Sequence, residues 1–112
     1  MKNPSYTFQG IPDETERIAV TDVAQLFTAA QYMKGISPAM AVVLTCEENQ
    51  IRFCVGGSTP TQGTGTDLGH ILYVGQSLRL SNGQQIQTFS FINHTAQSDG
   101  VLQATFEHEP GF

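Results

Sequence analysis

Apolar and polar residues alternate most cleanly in the second half of the chain. Residues 77–81 read Ser-Leu-Arg-Leu-Ser and residues 89–92 read Phe-Ser-Phe-Ile, the period of two that places successive side chains on opposite faces of a strand. Upstream, residues 41–46 (Ala-Val-Val-Leu-Thr-Cys) and 51–55 (Ile-Arg-Phe-Cys-Val) flank a polar Glu47-Glu48-Asn49-Gln50, which predicts a hairpin. With Glu48-Asn49 as the loop, Cys46 faces Ile51, Leu44 faces Phe53 and Val42 faces Val55. That register gathers six apolar side chains on one face. Cys54 then projects from the other face, opposite Val43 and out of reach of Cys46 for a disulfide. Two free thiols are predicted, with Cys46 buried and inert.

Glycine and proline punctuate the chain beyond Val55. Residues 56–69 form a long loop, with glycines available for positive φ and Pro60 stiffening its middle. It has neither the Gly-Lys-Ser/Thr ending nor the following helix of a phosphate loop. Strands are predicted over 71–74 and 77–81 around a Gly75-Gln76 turn, with Leu78 and Leu80 facing inward. Asn82-Gly83 is a strong hairpin-turn signal; a bulge near Gln84 is needed to set Leu80 opposite Ile86. Two further strands, about 85–94 and 101–109, are separated by residues 96–100. Phe89, Phe91, Leu102, Ala104 and Phe106 form the expected core set.

Near the start, residues 17–20 suit a short strand. Val23, Leu26, Phe27 and Ala30 share a helical face in a segment too short for more than one or two turns, with Thr21 or Asp22 as its cap. Residues 1–16 carry two prolines, a glycine, Asp13, Glu14 and Glu16 with little periodicity, and read as an extended arm. Its Tyr6 and Phe8 are aromatic residues in a polar tail, suited to anchoring on a neighbouring subunit. Six or seven strands spaced about ten residues apart predict an all-β fold: an antiparallel immunoglobulin-like β-sandwich over residues 17–112 with an extended N-terminal arm over 1–16. A small open barrel is the alternative.

Composition narrows the function. The chain has 112 residues, so it forms one domain with one core. It carries a formal charge of -5 with only five Lys and Arg, which argues against a nucleic-acid partner. No apolar run approaches the roughly 20 residues of a membrane-spanning helix, and the N-terminal residues lack the hydrophobic segment of a signal peptide. The expectation is a protein made in a cytosol, with no membrane partner. The chemistry-bearing residues are dispersed. Ser98, His94 and Asp99 are neighbours in sequence but fall at a strand end and a turn, where a catalytic triad has no support. His70, His94 and His108 have no visible ligand spacing. Glu107, His108 and Glu109 read as a solvated strand end, and Asn93-His94-Thr95 as an accidental glycosylation triplet. The expectation is no enzyme, no cofactor and no metal.

A set of residues also carries a resemblance: Val42-Val43-Leu44-Thr45, Ile51-Arg52-Phe53, Gly57 with Pro60-Thr61, Gly69-His70-Ile71-Leu72, Gly75, Leu78-Arg79-Leu80, and Ile86 with Phe89-Ser90-Phe91-Ile92. Over about residues 18–107 the pattern looks like small β-sandwich virion structural proteins of tailed bacteriophages. It departs from them in having Gly56-Gly57 where Asp-Gly is common, and a longer loop after Thr61. A similar Gly-x-x-Pro-Thr loop occurs in immunoglobulin-like modules attached to chitinase-type and hexosaminidase-type enzymes. The resemblance implies a capsid decoration or cement protein that binds and stabilises the assembled head, or a neck or tail component. It implies other virion subunits as partners, among them the major capsid protein, and self-association as a dimer or trimer. The protein would be made in the bacterial host cytoplasm and end in the virion. Contact would run through Tyr6 and Phe8 of the arm and Thr59, Pro60 and Thr61 of the loop. An immunoglobulin-like carbohydrate-binding or adhesion module is a further reading, disfavoured by the absence of Trp, with Tyr32 and Tyr73 as the ring platforms outside the arm.

Overall fold

The computed structural model describes residues 11–62 and 67–109. Tyr6 and Phe8 therefore lie outside the described residues. The chain is mostly strand, in two antiparallel four-stranded sheets that share one core. In chain order the elements are β1 (Ile11–Val20), β2 (Gln25–Leu26), α1 (Ala29–Tyr32), β3 (Met33–Lys34), β4 (Ser37–Pro38), β5 (Ala41–Glu47), β6 (Ile51–Cys54), β7 (His70–Leu72), β8 (Ser77–Leu80), α2 (Gly83–Thr88), β9 (Ser90–Asn93) and β10 (Gly100–His108). The first sheet has the order β1-β10-β5-β8 and the second β2-β9-β6-β7, while β3 and β4 form a separate small hairpin.

Parity along each strand decides which side chains meet. Ile18 and Val20 of β1, Val42, Leu44 and Cys46 of β5, and Leu102, Ala104 and Phe106 of β10 join Ile51, Leu72 and Phe91 of the second sheet in one buried cluster. Phe27 sits at its middle, stacked on Phe89 at 5.4 Å, tilted against Phe91 at 5.2 Å and edge-on to Phe106 at 5.3 Å. The predicted core set of Phe89, Phe91, Leu102, Ala104 and Phe106 is buried throughout. Leu80 is buried and Leu78 packs against the cluster, as the alternation predicts.

The expected hairpin between residues 41–46 and 51–55 is not formed. β5 pairs with β10 and β8, whereas β6 pairs with β9 and β7, so the residues between them cross from one sheet to the other. The crossing turns at Glu48, whose φ is 77°. β5 is buried on both faces from Ala41 to Leu44, as befits an interior strand. Either arrangement brings Val42, Leu44 and Cys46 towards Ile51 and Phe53, which is why the inward face was legible when the pairing was not. Gly100 opens β10 beneath the crossing: a Cβ there would lie 2.7 Å from the Asn49 carbonyl oxygen and 2.7 Å from Ile51 Cγ2.

Asn82-Gly83 also departs from expectation. A two-residue hairpin turn of type I′ needs positive φ at both positions, but Asn82 is extended at φ -154° and its Oδ1 accepts from the Gln85 amide, capping α2. The residues after it form a helix rather than a bulged strand because Leu80 ends in the first sheet and Ser90 begins in the second; α2 spans that gap and buries Ile86. The earlier helix is a single turn, within the predicted length, but of the predicted face only Ala30 lies in it: Leu26 is in β2, Val23 and Leu26 are exposed, and Phe27 reaches the core from the link between β2 and α1. The helix starts at Thr28, whose N–H donates to Gln31 Oε1 at 2.7 Å, and neither Thr21 nor Asp22 caps it.

β1 pairs with β10 from Ile11 opposite His108 to Val20 opposite Gly100, with a register shift between Pro12 and Thr15. Residues 11–16, assigned to the arm from sequence, are therefore strand, and residues 1–10 lie outside the described part. The expected solvated end at Glu107 and His108 is instead buried. Glu107 is fully covered and is gripped by Arg79 of β8 through Nη1 and Nη2 at 2.5 and 3.2 Å. The His108 ring is buried with its Nδ1 3.9 Å from Asp13 Oδ2. Both cysteines are free and buried. Burial pushes the Cys46 thiol up to about 11, against a smaller opposing backbone hydrogen bond with Ile51, and raises the Cys54 thiol as well, so both stay protonated at neutral pH.

Candidate interaction site

The glycine and proline spacing after β6 builds a raised corner on the second sheet. Gly56 and Gly57 take φ of 95° and 108°, a region open to glycine at little steric cost, and turn the chain out of β6. The described residues of the loop are then tied down at several points. The Gly56 amide donates to Thr88 Oγ1 at 3.1 Å and Ser90 Oγ donates to the Ser58 carbonyl at 2.8 Å. Pro60 is buried. Thr61 and Leu68 bridge the loop's two arms twice, with Thr61 N–H on the Leu68 carbonyl at 3.0 Å and Leu68 N–H on Thr61 Oγ1 at 2.9 Å. Arg52 secures the returning arm by donating to the Gly69 carbonyl at 3.1 Å, with Asp67 3.7 Å from its guanidinium.

Of the three loop residues singled out from sequence, Thr59 is presented to solvent, and among the described residues no hydrogen bond engages its side chain. Pro60 packs inward and the Thr61 hydroxyl is used within the loop. The ridge from Gly57 to Thr59 separates two hollows. One, of about 310 Å³, lies between the ridge, β2 and the end of α2, and is lined by Gln25, Leu26, Ser58, Thr59, Gln87 and Ser90 among others. The other, of about 290 Å³, is lined by Cys54, Val55, Ser58, Leu68, Gly69 and His70. Val55, Leu68 and Leu26 are 41%, 50% and 52% exposed, which leaves apolar surface on both flanks. Among the described residues, neither hollow is lined by a carboxylate, an ammonium or a guanidinium group.

The far end of the loop is fixed by a polar hub that sequence reasoning missed. Asp22 Oδ1 accepts from the Gln97 backbone N–H at 2.8 Å, from Asn93 Nδ2 at 2.8 Å and from Gln62 Nε2 at 3.4 Å; Gln62 Nε2 also donates to Asn93 Oδ1 at 2.6 Å. Its members come from three distant stretches of chain, Asp22, Gln62 and the Asn93–Gln97 stretch, so no local spacing signals the hub. Asn93 is fully buried and engaged on both amide atoms, which removes it as a glycosylation acceptor in the folded chain. Gln97 takes φ 67°, presenting its amide to Asp22.

The Gln97 amide, ahead of the Asn93 side chain and with a smaller contribution from Gln62, holds the Asp22 carboxyl below its ordinary value against a small opposing effect of burial. A depressed folded value means that the contribution to stability is complete above the unfolded titration and is lost as pH falls through the folded one. Urea unfolding is therefore expected to show a larger drop in stability between about pH 6 and about pH 3 for the natural chain than for Asp22→Asn. Equal pH slopes for the two would show that the hub does not depend on the charge.

His94, Ser98 and Asp99 share the turn region before β10, and among the described residues no hydrogen bond joins them. His94 N–H donates to the Gln50 carbonyl, Ser98 N–H to the Thr95 carbonyl, and the Asp99 carbonyl accepts from Asn49 Nδ2. Among the described residues no group of three or more His, Cys, Asp or Glu gathers in a metal-binding arrangement. Tyr73 follows β7 and is 51% exposed, whereas Tyr32 packs against the core. Comparison with protein-family models, with curated proteins and with solved structures finds no match for this chain.

Proposed function

We propose that the chain is a structural protein of a tailed-phage virion, acting as a capsid decoration or cement protein that binds and stabilises the assembled head. In this reading the two sheets form an immunoglobulin-like sandwich serving as a rigid body, and the major capsid protein and further copies of the chain, as a dimer or trimer, are the partners. A neck or tail position with the same fold is the alternative place in the particle. The observation that carries the proposal is the fastened ridge from Gly57 to Thr59 with Val55, Leu68 and Leu26 exposed on its flanks. A ridge already immobilised loses little conformational freedom on docking, and exposed apolar side chains beside it suit the centre of a protein interface. The residue-level likeness to phage virion proteins supplies the biological setting. A subunit bound across neighbouring capsomers would stabilise the shell by mass action, even through modest individual contacts.

A glycan-binding module is the second reading, favoured by the uncharged amide and hydroxyl lining of the hollow beside β2. Immunogold labelling of particles assembled from the genome that encodes the chain distinguishes these readings. Label over the heads is the expected result. Label confined to the neck or tail selects the alternative place, and particles without label overturn the virion proposal.

A further inference from the structure

The strand β1 ends the first sheet, and no described strand lies beyond it. From Thr15 to Val20 it runs in regular register along β10, held by Ile18 and Val20 in the core and by a 2.7 Å bond between the Thr15 and Thr105 hydroxyls. That stretch contains no proline and no bulge, so its outer edge can accept another strand. Beside it stand Glu14 and Glu16, and Asp13, whose Oδ2 lies 3.9 Å from Nδ1 of the buried His108. Arg17, the one basic residue of β1, is engaged with Glu48 at 2.8 Å.

We propose that the outer edge of β1 is a docking edge for an extended lysine- or arginine-bearing segment of a partner subunit, which adds to the first sheet as a further strand. Main-chain hydrogen bonds would supply affinity and the three carboxylates would select the charge. The Glu16 carboxyl is raised by partial burial and by the nearby Asp13 and Glu14 charges; incoming cations relieve that repulsion. Acidic side chains, Pro12 and the register shift also serve to guard an edge against aggregation. Here the guard is selective. A second copy of this chain, docking edge to edge, would bring its own Asp13, Glu14 and Glu16 to the seam, whereas a basic strand is attracted by the same groups. The chain's net charge of -5 adds long-range steering in the same sense. The inference deepens the partner-binding reading above but uses a surface distinct from the 56–62 loop, so each can fail without the other.

The test uses the full chain with an acetylated, amidated peptide of alternating lysine and valine, and a glutamate-valine peptide of equal length as control. Fluorescence anisotropy reads binding, and amide hydrogen exchange locates it. The lysine peptide is expected to bind, more weakly as salt is raised, and to slow exchange within residues 15–20 by about tenfold. The variant Asp13→Asn/Glu14→Gln/Glu16→Gln, shown to be folded by its melting transition, is expected to lose the preference for lysine over glutamate. Equal binding of the two peptides to the natural chain, lysine-peptide binding without protection in residues 15–20, or no binding at all would each overturn the proposal. So would a preference that persists in the neutral variant.

Discussion

Replacing Arg79 with methionine is expected to destabilise the fold by about 3–5 kcal/mol, the range found when one partner of a buried ion pair is removed. Glu107 has a fully covered side chain, and Arg79 is 18% exposed. Arg79→Met therefore removes the guanidinium that grips a covered carboxylate with two hydrogen bonds. Urea unfolding at neutral pH reads the loss as a lower midpoint with an unchanged slope. The paired variant Arg79→Met/Glu107→Met is expected to recover most of it, because two apolar side chains remove the charge together with its partner. A cost below about 1 kcal/mol, the level of an exposed pair, would show that the Arg79 guanidinium is not what keeps the Glu107 carboxylate stable in its covered place. A paired variant as unstable as the single one would show that the covering of Glu107, rather than its charge, was disturbed.

This pair marks where the sequence stopped being legible. Glu107 alternates outward from Phe106 and precedes His108 and Glu109, so local pattern gives a solvated end. In the fold it is gripped by Arg79 from β8, two strands away in the same sheet and 28 residues distant in the chain. Inward faces were readable for the opposite reason. Side-chain parity is a local property of an extended backbone, so Val42, Leu44, Phe91 and Leu102 could be assigned without knowing their partners. Strand pairing is non-local: β5 and β6 satisfy the same apolar face by lying in opposing sheets. Asn82-Gly83 shows the limit of turn chemistry, since an asparagine side chain serves a helix N-terminus as well as a hairpin. At the candidate site, the loop and its glycines were visible in the sequence. The hub of Asp22, Gln62, Asn93 and Gln97 was not, because Asp22 and Asn93 are 71 residues apart.

Truncating Phe89 to alanine is expected to cost a further class of stability, about 3–5 kcal/mol, from lost apolar burial and the cavity left behind. Phe89 is fully buried and lies within 5.4, 5.2 and 5.5 Å of the Phe27, Phe53 and Phe91 rings. It ends α2 and precedes β9, so its ring holds together the helical link between the sheets and the second sheet itself. The cavity cannot close cheaply, because Phe53 and Phe91 are held opposite each other by the pairing of β6 with β9, and Phe27 is packed against Phe91 and Phe106 as well. Each kcal/mol lowers the melting temperature of a domain this size by roughly 4–8 °C, so calorimetry or circular dichroism resolves the effect easily. Phe89→Leu keeps part of the volume and is expected to lose distinctly less. The same substitution bears on the candidate site: Thr88 and Ser90, on either side of Phe89, hold Gly56 and Ser58 of the ridge. Partial unfolding in Phe89→Ala should therefore appear first as faster amide exchange at Gly56, ahead of the core of β10. Exchange that instead rises uniformly would show the ridge and the sheets to be a single cooperative unit.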